Sequence, residues 1–251
     1  MMLSPDIKEF NIIHIEESDS TNRYLRELSS REKPANFTTV KTGFQTAGRG
    51  QRGNSWESEK EKNLLFSILV YPSFLPAKEQ FLISQAISLS IKEELDNYAH
   101  EFSIKWPNDI YWRNKKICGI LIENDLSGMC LSKSIIGIGI NINQESFRSS
   151  APNPVSLKQI TGKENNKEEI LGHILVRFAG YFDAIRTNKT QALTKAYYDS
   201  LFRKEGIHRF ADKKGEFNAA ITRVEPNGTL VLTDDNNLER RYTFKEIRYL
   251  L

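Results

Sequence analysis

The sequence contains little cysteine and histidine. Of its 251 residues, two are cysteines, Cys118 and Cys130, and both fall on one predicted hairpin at positions that are not opposite each other. Such a pair is typical of reduced thiols, so we expect a cytoplasmic protein without a disulfide. The four histidines are scattered without ligand spacing, which argues against a zinc site held by the protein.

Long apolar runs and excess charge are absent as well. No stretch of 18 apolar residues occurs, so we predict no transmembrane helix, and the acidic Asp6 and Glu9 argue against a secretion signal. The 35 basic and 32 acidic residues leave a net charge of +3. This excess is too small to indicate nucleic acid or a membrane as the main partner.

Hydrophobic periodicity predicts both strands and helices. We expect strands at residues 10–15, 36–44, 63–71, 110–123 (a hairpin) and 133–143, and a further strand that starts at about residue 102 and ends near Lys105. One expected helix begins at Ser20 or Thr21, and the others cover residues 76–98, 154–162 (stopped by Gly162), 167–187 and 191–202. Short strands at residues 217–224, 229–233 and 239–244 follow with tight turns between them, so we predict a large domain over residues 1–203 and a small antiparallel barrel over residues 204–251.

A glycine-rich loop over residues 45–56 is the first candidate site. It combines three glycines in six residues with two arginines and a final tryptophan: Gly48, Gly50, Gly53, Arg49, Arg52 and Trp56. Glycines can turn backbone N–H groups towards an anion, and arginines suit phosphate or carboxylate. The loop matches neither a P-loop nor a dinucleotide fingerprint. It is therefore either a mobile anion-binding flap or an ordinary solvated loop.

Two other stretches hold polar groups near predicted strand or helix ends. The run Ser20-Thr21-Asn22 either caps a helix or offers hydroxyl and amide groups to a small polar ligand. Lys105 precedes Trp106-Pro107, which fixes the local backbone, so it is either a surface lysine or a cation held for a developing phosphate charge. Asn108 and Asp109 follow, and their side chains suit magnesium, water or a ribose edge, with Asp109 as the candidate magnesium contact.

The predicted strands under these groups carry glycines where side chains are expected. Gly119 lies inside one strand, and Gly137 and Gly139 lie on one face of the next, which Asn141 continues. Smooth strands, an arginine flap and a fixed lysine suit a flat apolar ligand beside a nucleotide.

These motifs, in this order, resemble the biotin protein ligases over nearly the whole chain. Ser20-Thr21-Asn22 looks like the family's biotin-contacting turn, the loop after Gln45 its biotin loop, and Lys105 to Asp109 its strongest signature. The resemblance implies an α+β fold with a mixed or antiparallel central sheet and flanking helices, the class II synthetase-like or biotin–lipoate ligase fold. It also implies that residues 1–203 are the catalytic domain that binds biotin and ATP, and that residues 204–251 are an SH3-like C-terminal domain. It suggests a homodimer as one option, and it implies no DNA partner, since only about ten residues precede the first strand.

The resemblance also implies roles for individual residues. Lys105, Arg49 and Arg52 are the implied catalytic groups. The implied biotin contacts are Ser20, Thr21, Asn22, Gln45, Gly48, Arg49, Lys105, Gly119, Gly137 and Gly139. The implied contacts of ATP and the adenylate are Arg49, Gly50, Gln51, Arg52, Trp56, Lys105, Asn108 and Asn141. Many relatives carry arginine where this chain has Gln51, and we expect weaker retention of the adenylate as a result.

The implied reaction has two steps and uses ATP and biotin as substrates with Mg²⁺. Biotin is first activated as biotinyl-5′-AMP and is then transferred to a lysine of a biotin carboxyl carrier domain. Two rivals stay open at this point: a lipoate ligase or octanoyltransferase, which shares the catalytic fold, and a binding protein without catalytic activity.

Overall fold

The computed structural model describes residues 10–50, 54–148 and 153–250. Its main element is a sheet of seven strands in the order β1-β2-β3-β7-β6-β5-β4, in which β1 and β2 pair in parallel and all other neighbours are antiparallel. The strands are β1 Ile12–Ser18, β2 Thr39–Gln45, β3 Leu64–Val70, β4 Phe102–Lys105, β5 Asp109–Trp112, β6 Lys115–Ser127 and β7 Cys130–Ile140.

Helices flank this sheet, as predicted, and they lie on both of its faces. They are α1 Thr21–Arg31, α2 Phe81–Leu95, α3 Leu157–Thr161, α4 Lys167–Arg186 and α5 Gln191–Asp199. The larger core lies between α2, α4 and the face of the sheet that carries Phe66, Ile68, Ile136 and Ile138. Within the described ranges, no helix is both long and apolar enough to cross a membrane.

The opposite face is covered by α1 over only part of its area. Leu25 of α1 packs on Val40, Leu69 and Ile135 in a second, smaller apolar cluster. Further along β7 the same face carries Gly137 and Gly139, since side chains alternate along a strand. The uncovered part of this face is where the candidate site lies.

A second sheet follows, with five antiparallel strands in the order β11-β10-β9-β8-β12. Its strands are β8 His208–Asp212, β9 Gly215–Val224, β10 Leu230–Asp234, β11 Glu239–Tyr242 and β12 Arg248–Tyr249. The small C-terminal β unit is thus confirmed, whereas its closure into an SH3-like barrel and the domain boundary at residue 203 stay predictions. Sequence patterns missed β8 and the two-residue β12.

Candidate functional site

One transverse row of residues forms the base of the candidate site. Lys105 pairs with Asp109, Asp109 with Gly119, and Gly119 with Gly139, across four neighbouring strands. Directly paired residues project from the same face of a sheet. The row therefore places an ammonium, a carboxylate and two glycines side by side, and all four line a cavity of about 590 Å³.

The glycines allow other side chains to approach the sheet closely. A Cβ atom on Gly139 would lie 2.5 Å from Trp56 Cε2, and one on Gly119 would lie 2.9 Å from Trp56 Cζ3. A Cβ atom on Gly137 would lie 2.3 Å from Asn22 Oδ1. The structure thus explains all three glycines by contacts within the protein, and their predicted contact with a ligand stays a prediction.

A buried polar cluster lies at the α1 end of the cavity. The Gln45 side-chain oxygen accepts from the Thr21 backbone N–H at 2.9 Å, and the Ser67 hydroxyl lies 2.7 Å from that of Thr21 and donates to Asn22 Oδ1 at 2.6 Å. Ser20, extended and buried at the N-terminus of α1, makes no side-chain cap. The run therefore does more than cap a helix, and Ser67 is a member that the sequence did not indicate.

The glycine loop returns on itself as a short antiparallel flap above the cavity. The Trp56 backbone N–H donates to Gly48 at 2.9 Å, the Gly50 N–H donates to Asn54 at 2.7 Å, and Arg49 bridges to Ser55. The exposed Arg49 lines the cavity, as does Gly50. The remaining predicted loop residues, Gln51, Arg52 and Gly53, lie outside the described residues, so their roles stay predictions.

Two lysines reach the charged end of the cavity. Lys105 Nζ donates to the Tyr111 hydroxyl at 2.9 Å, and burial lowers the pKa of Lys105, with Asp109 acting in the opposite direction. Lys116 Nζ lies 2.7 Å from Asp109 Oδ1 and 5.7 Å from the Trp56 ring centroid. Both lysines line the cavity.

Sequence reasoning missed Lys116 as a site residue for a physical reason. Strict alternation along β6 places Lys116 and Gly119 on opposite faces. The register of β5 against β6 shifts between Ile110 and Tyr111, so that Tyr111 pairs with Lys116 but Ile110 pairs with Cys118. This bulge adds one residue and brings Lys116 onto the face of Gly119. The one signal for this residue in the sequence was the position of Lys116 three residues before Gly119, a glycine inside a predicted strand.

The two predicted asparagines differ in how their polar atoms are used. The Asn108 amide donates to the Ile120 carbonyl at 2.6 Å and so ties the turn between β4 and β5 to strand β6. The Asn141 amide donates to the Val155 carbonyl at 3.2 Å, but its Oδ1 is buried and has no partner among the described residues. Because buried acceptors are normally satisfied, Asn141 is the asparagine whose oxygen is available to a ligand donor.

Comparison with known proteins assigns the chain that forms this sheet, flap and cavity to a family. The model of the biotin/lipoate A/B protein ligase family matches residues 15–141, which include the polar cluster, the flap and both lysines. The chain belongs to this family.

Individual relatives and solved structures extend the match beyond that range. The bifunctional ligase/repressor BirA of Bacillus spizizenii is 26% identical over 246 residues, covering 96% of this chain and 75% of that protein. The biotin–[acetyl-CoA-carboxylase] ligase of Paracoccus denitrificans is 29% identical over 171 residues, 64% of this chain and 69% of its own. The biotin protein ligase of Aquifex aeolicus, solved with biotin and ATP, superposes with a TM-score of 0.77 at 26% identity, covering 96% and 99% of the two chains.

Proposed function

We propose that this chain is an ATP-dependent ligase that activates biotin as biotinyl-5′-AMP and transfers it to a specific lysine of a biotin carboxyl carrier protein. The observation that supports this most directly is the near full-length similarity to a biotin protein ligase solved with biotin and ATP. The cavity itself has a polar end, a centre lined by glycines and a cationic end. This order matches the ureido ring, the aliphatic chain and the activated carboxylate of biotin.

The polar cluster supports biotin as the substrate over lipoate. The ureido ring of biotin carries N–H donors and a carbonyl acceptor, and these can pair with Ser20, Thr21 and Gln45, which line the cavity. The dithiolane ring of lipoate has no such groups, so it would leave these side chains facing an apolar ring. Sites with buried hydrogen-bonding groups reject ligands that lack the matching partner.

The charged end fits the first half-reaction. The biotin carboxylate attacks the α-phosphorus of ATP, the bond to the bridging oxygen breaks, and pyrophosphate leaves. Negative charge builds up on the α-phosphoryl oxygens, where Lys116, Lys105 and Arg49 can stabilise it. In the second step the amine of the carrier lysine attacks the anhydride carbonyl and AMP leaves, so no nucleophilic side chain of this protein is needed.

Magnesium fits this site as a partner of the nucleotide. Within residues 10–50, 54–148 and 153–250, no three His, Cys, Asp or Glu side chains group as metal ligands. Mg²⁺, however, is usually held by one or two carboxylates together with substrate phosphates. Asp109, at 2.7 Å from Lys116 on the cavity wall, is the carboxylate that would hold it. When bound, the ion neutralises phosphate charge.

Pyrophosphate–ATP exchange with biotin, lipoate or neither, in the presence of magnesium, tests the proposal. We expect exchange that requires biotin. Exchange with lipoate alone would transfer the function to the lipoate branch of the family, and no exchange with either acid would contradict an adenylating enzyme.

A matched pair of variants tests the cationic end. Lys116→Ala removes the ammonium beside Asp109, and we expect biotin-dependent exchange to fall by about 10²–10³-fold, the usual effect of losing one group that stabilises developing charge. Lys115→Ala is the control, since the neighbouring lysine is exposed and pairs with Trp112 on the other face. Equal activity of the two variants would contradict the role of Lys116.

A further inference from the structure

The ammonium of Lys105 is held between two tyrosines from distant parts of the chain. Tyr111 of β5 is buried and its hydroxyl accepts from Lys105 Nζ at 2.9 Å. Tyr249 of β12, in the C-terminal sheet, places its ring centroid 5.3 Å from the same Nζ. A cation within about 6 Å of an aromatic face is attracted by the ring quadrupole, most strongly where water is excluded.

Packing fixes the Tyr249 ring, whereas its hydroxyl forms no hydrogen bond with the described residues. The ring lies 5.0 Å from Phe210 in an edge contact and 6.0 Å from Phe202. Arg203 donates to the Leu250 carbonyl at 2.7 Å and so holds the chain end beside it. The Tyr249 hydroxyl is buried without a hydrogen-bond partner, which is unfavourable. The contact of this side chain with Lys105 is therefore made by the ring and not by the hydroxyl.

We propose that Tyr249 is a positioning residue for Lys105, through which the C-terminal sheet takes part in the adenylation step. This inference rests on the proposed function. Lys105 lines the cavity, whereas Tyr249 does not, so Tyr249 acts only through the lysine. The Tyr111 hydroxyl and the rings of Tyr111 and Tyr249, whose centroids lie 4.5 Å and 5.3 Å from Nζ, together hold the ammonium at the wall of the cavity, where phosphate charge develops.

Two substitutions separate the ring from the hydroxyl. Tyr249→Phe keeps the ring, and we expect kcat and KM for biotin-dependent exchange within about twofold of wild type. Tyr249→Leu keeps apolar volume but loses the face, and we expect kcat/KM for ATP to fall about tenfold with KM for biotin unchanged. Phe217→Leu is the control: it removes an aromatic ring from the same sheet without contacting Lys105, so it should lower Tm but not kcat.

A double-mutant cycle and a direct observation of the contact complete the test. In a Lys105→Met background, Tyr249→Leu should cause no further loss, because the two residues act as one unit; an additive loss would overturn the proposal. The ring centroid lies 5.3 Å from Lys105 Nζ, so the ring-current shift of the Lys105 ε-methylene protons should change in Tyr249→Leu and persist in Tyr249→Phe. An unchanged shift in Tyr249→Leu overturns the positioning role even if wild type shows no exchange, whereas absent exchange by itself contradicts only the proposed function.

Discussion

Substituting alanine for Gly139 should impair catalysis far more than stability. The added Cβ would lie 2.5, 2.7 and 2.9 Å from three ring atoms of Trp56, Cε2, Nε1 and Cζ2. Carbon atoms in ordinary contact lie about 3.5–4.0 Å apart. The indole must therefore withdraw by about 1 Å, and it belongs to a loop, so it can do so without disturbing the sheet.

The size of the effect follows from that displacement. Misplacing a group in an active site by about 1 Å costs up to about 10²-fold in rate, so we expect biotin-dependent exchange to fall by about 10- to 100-fold. A rigid neighbour would cost about 1–3 kcal/mol of stability through overpacking. Because the Trp56 ring can move, we expect a loss in the free energy of unfolding below about 1 kcal/mol.

The assay measures kcat, KM for biotin and urea unfolding for Gly139→Ala beside Gly180→Ala. Gly180 lies in α4, and a Cβ added there meets nothing within 4 Å. We expect Gly180→Ala to gain about 0.5–1 kcal/mol of stability with unchanged exchange, since glycine disfavours helix interiors. If Gly139→Ala exchanges pyrophosphate at the wild-type rate, the contact with Trp56 has no role in the reaction.

Three further outcomes follow from other contacts. Gly137→Ala brings a Cβ within 2.3 Å of Asn22 Oδ1 in a buried hydrogen-bond network, so it should lose about 1–3 kcal/mol in urea unfolding; an unaffected midpoint would contradict this. Lys105 is charged below its folded pKa and loses the charge as pH rises through that pKa, which burial lowers. The fall of the exchange rate at alkaline pH should therefore vanish in Lys105→Arg, because arginine stays charged. If the fall remains in this variant, another group causes it. Burial raises the pKa of the Cys118 thiol, so Ellman's reagent should modify Cys130 in the native protein and Cys118 only after unfolding, and two fast thiols would contradict the buried position.

The fold was predictable because its elements have strong local signals. The apolar run that becomes β3, the helical spacing of α2 and α4, and Gly162 as a left-handed stop after α3 all agree with tertiary structure. The two strands that were missed, β8 and β12, have weak local patterns. β12 is only two residues long, and it is a strand only because it pairs with Phe210 and Ala211 of β8.

The candidate site was predictable where it contains an unusual residue and not where it depends on an unusual strand register. Glycines inside strands and the Lys105 to Asp109 stretch stand out in the sequence. Ser67, by contrast, is one polar residue in the apolar strand β3, and nothing local indicates that it meets Thr21 and Asn22. Lys116 depends on a bulge, and local sequence does not specify which strand positions a bulge separates.

One face of the sheet serves two purposes, and α1 divides them. Where α1 covers β2, β3 and β7, the face carries Val40, Leu69 and Ile135 and belongs to the core. α1 begins at Thr21, and at this end of the helix the same strand β7 carries glycines, with Gly137 beneath Asn22 of the first helical turn and Gly139 beneath Trp56. A large side chain there would collide with Asn22 or Trp56, whereas a glycine nearer α1 would leave a hole in the core. The alternation of β7 thus changes from isoleucine to glycine at the point where the helix stops covering the sheet, and this boundary sets where the cavity begins.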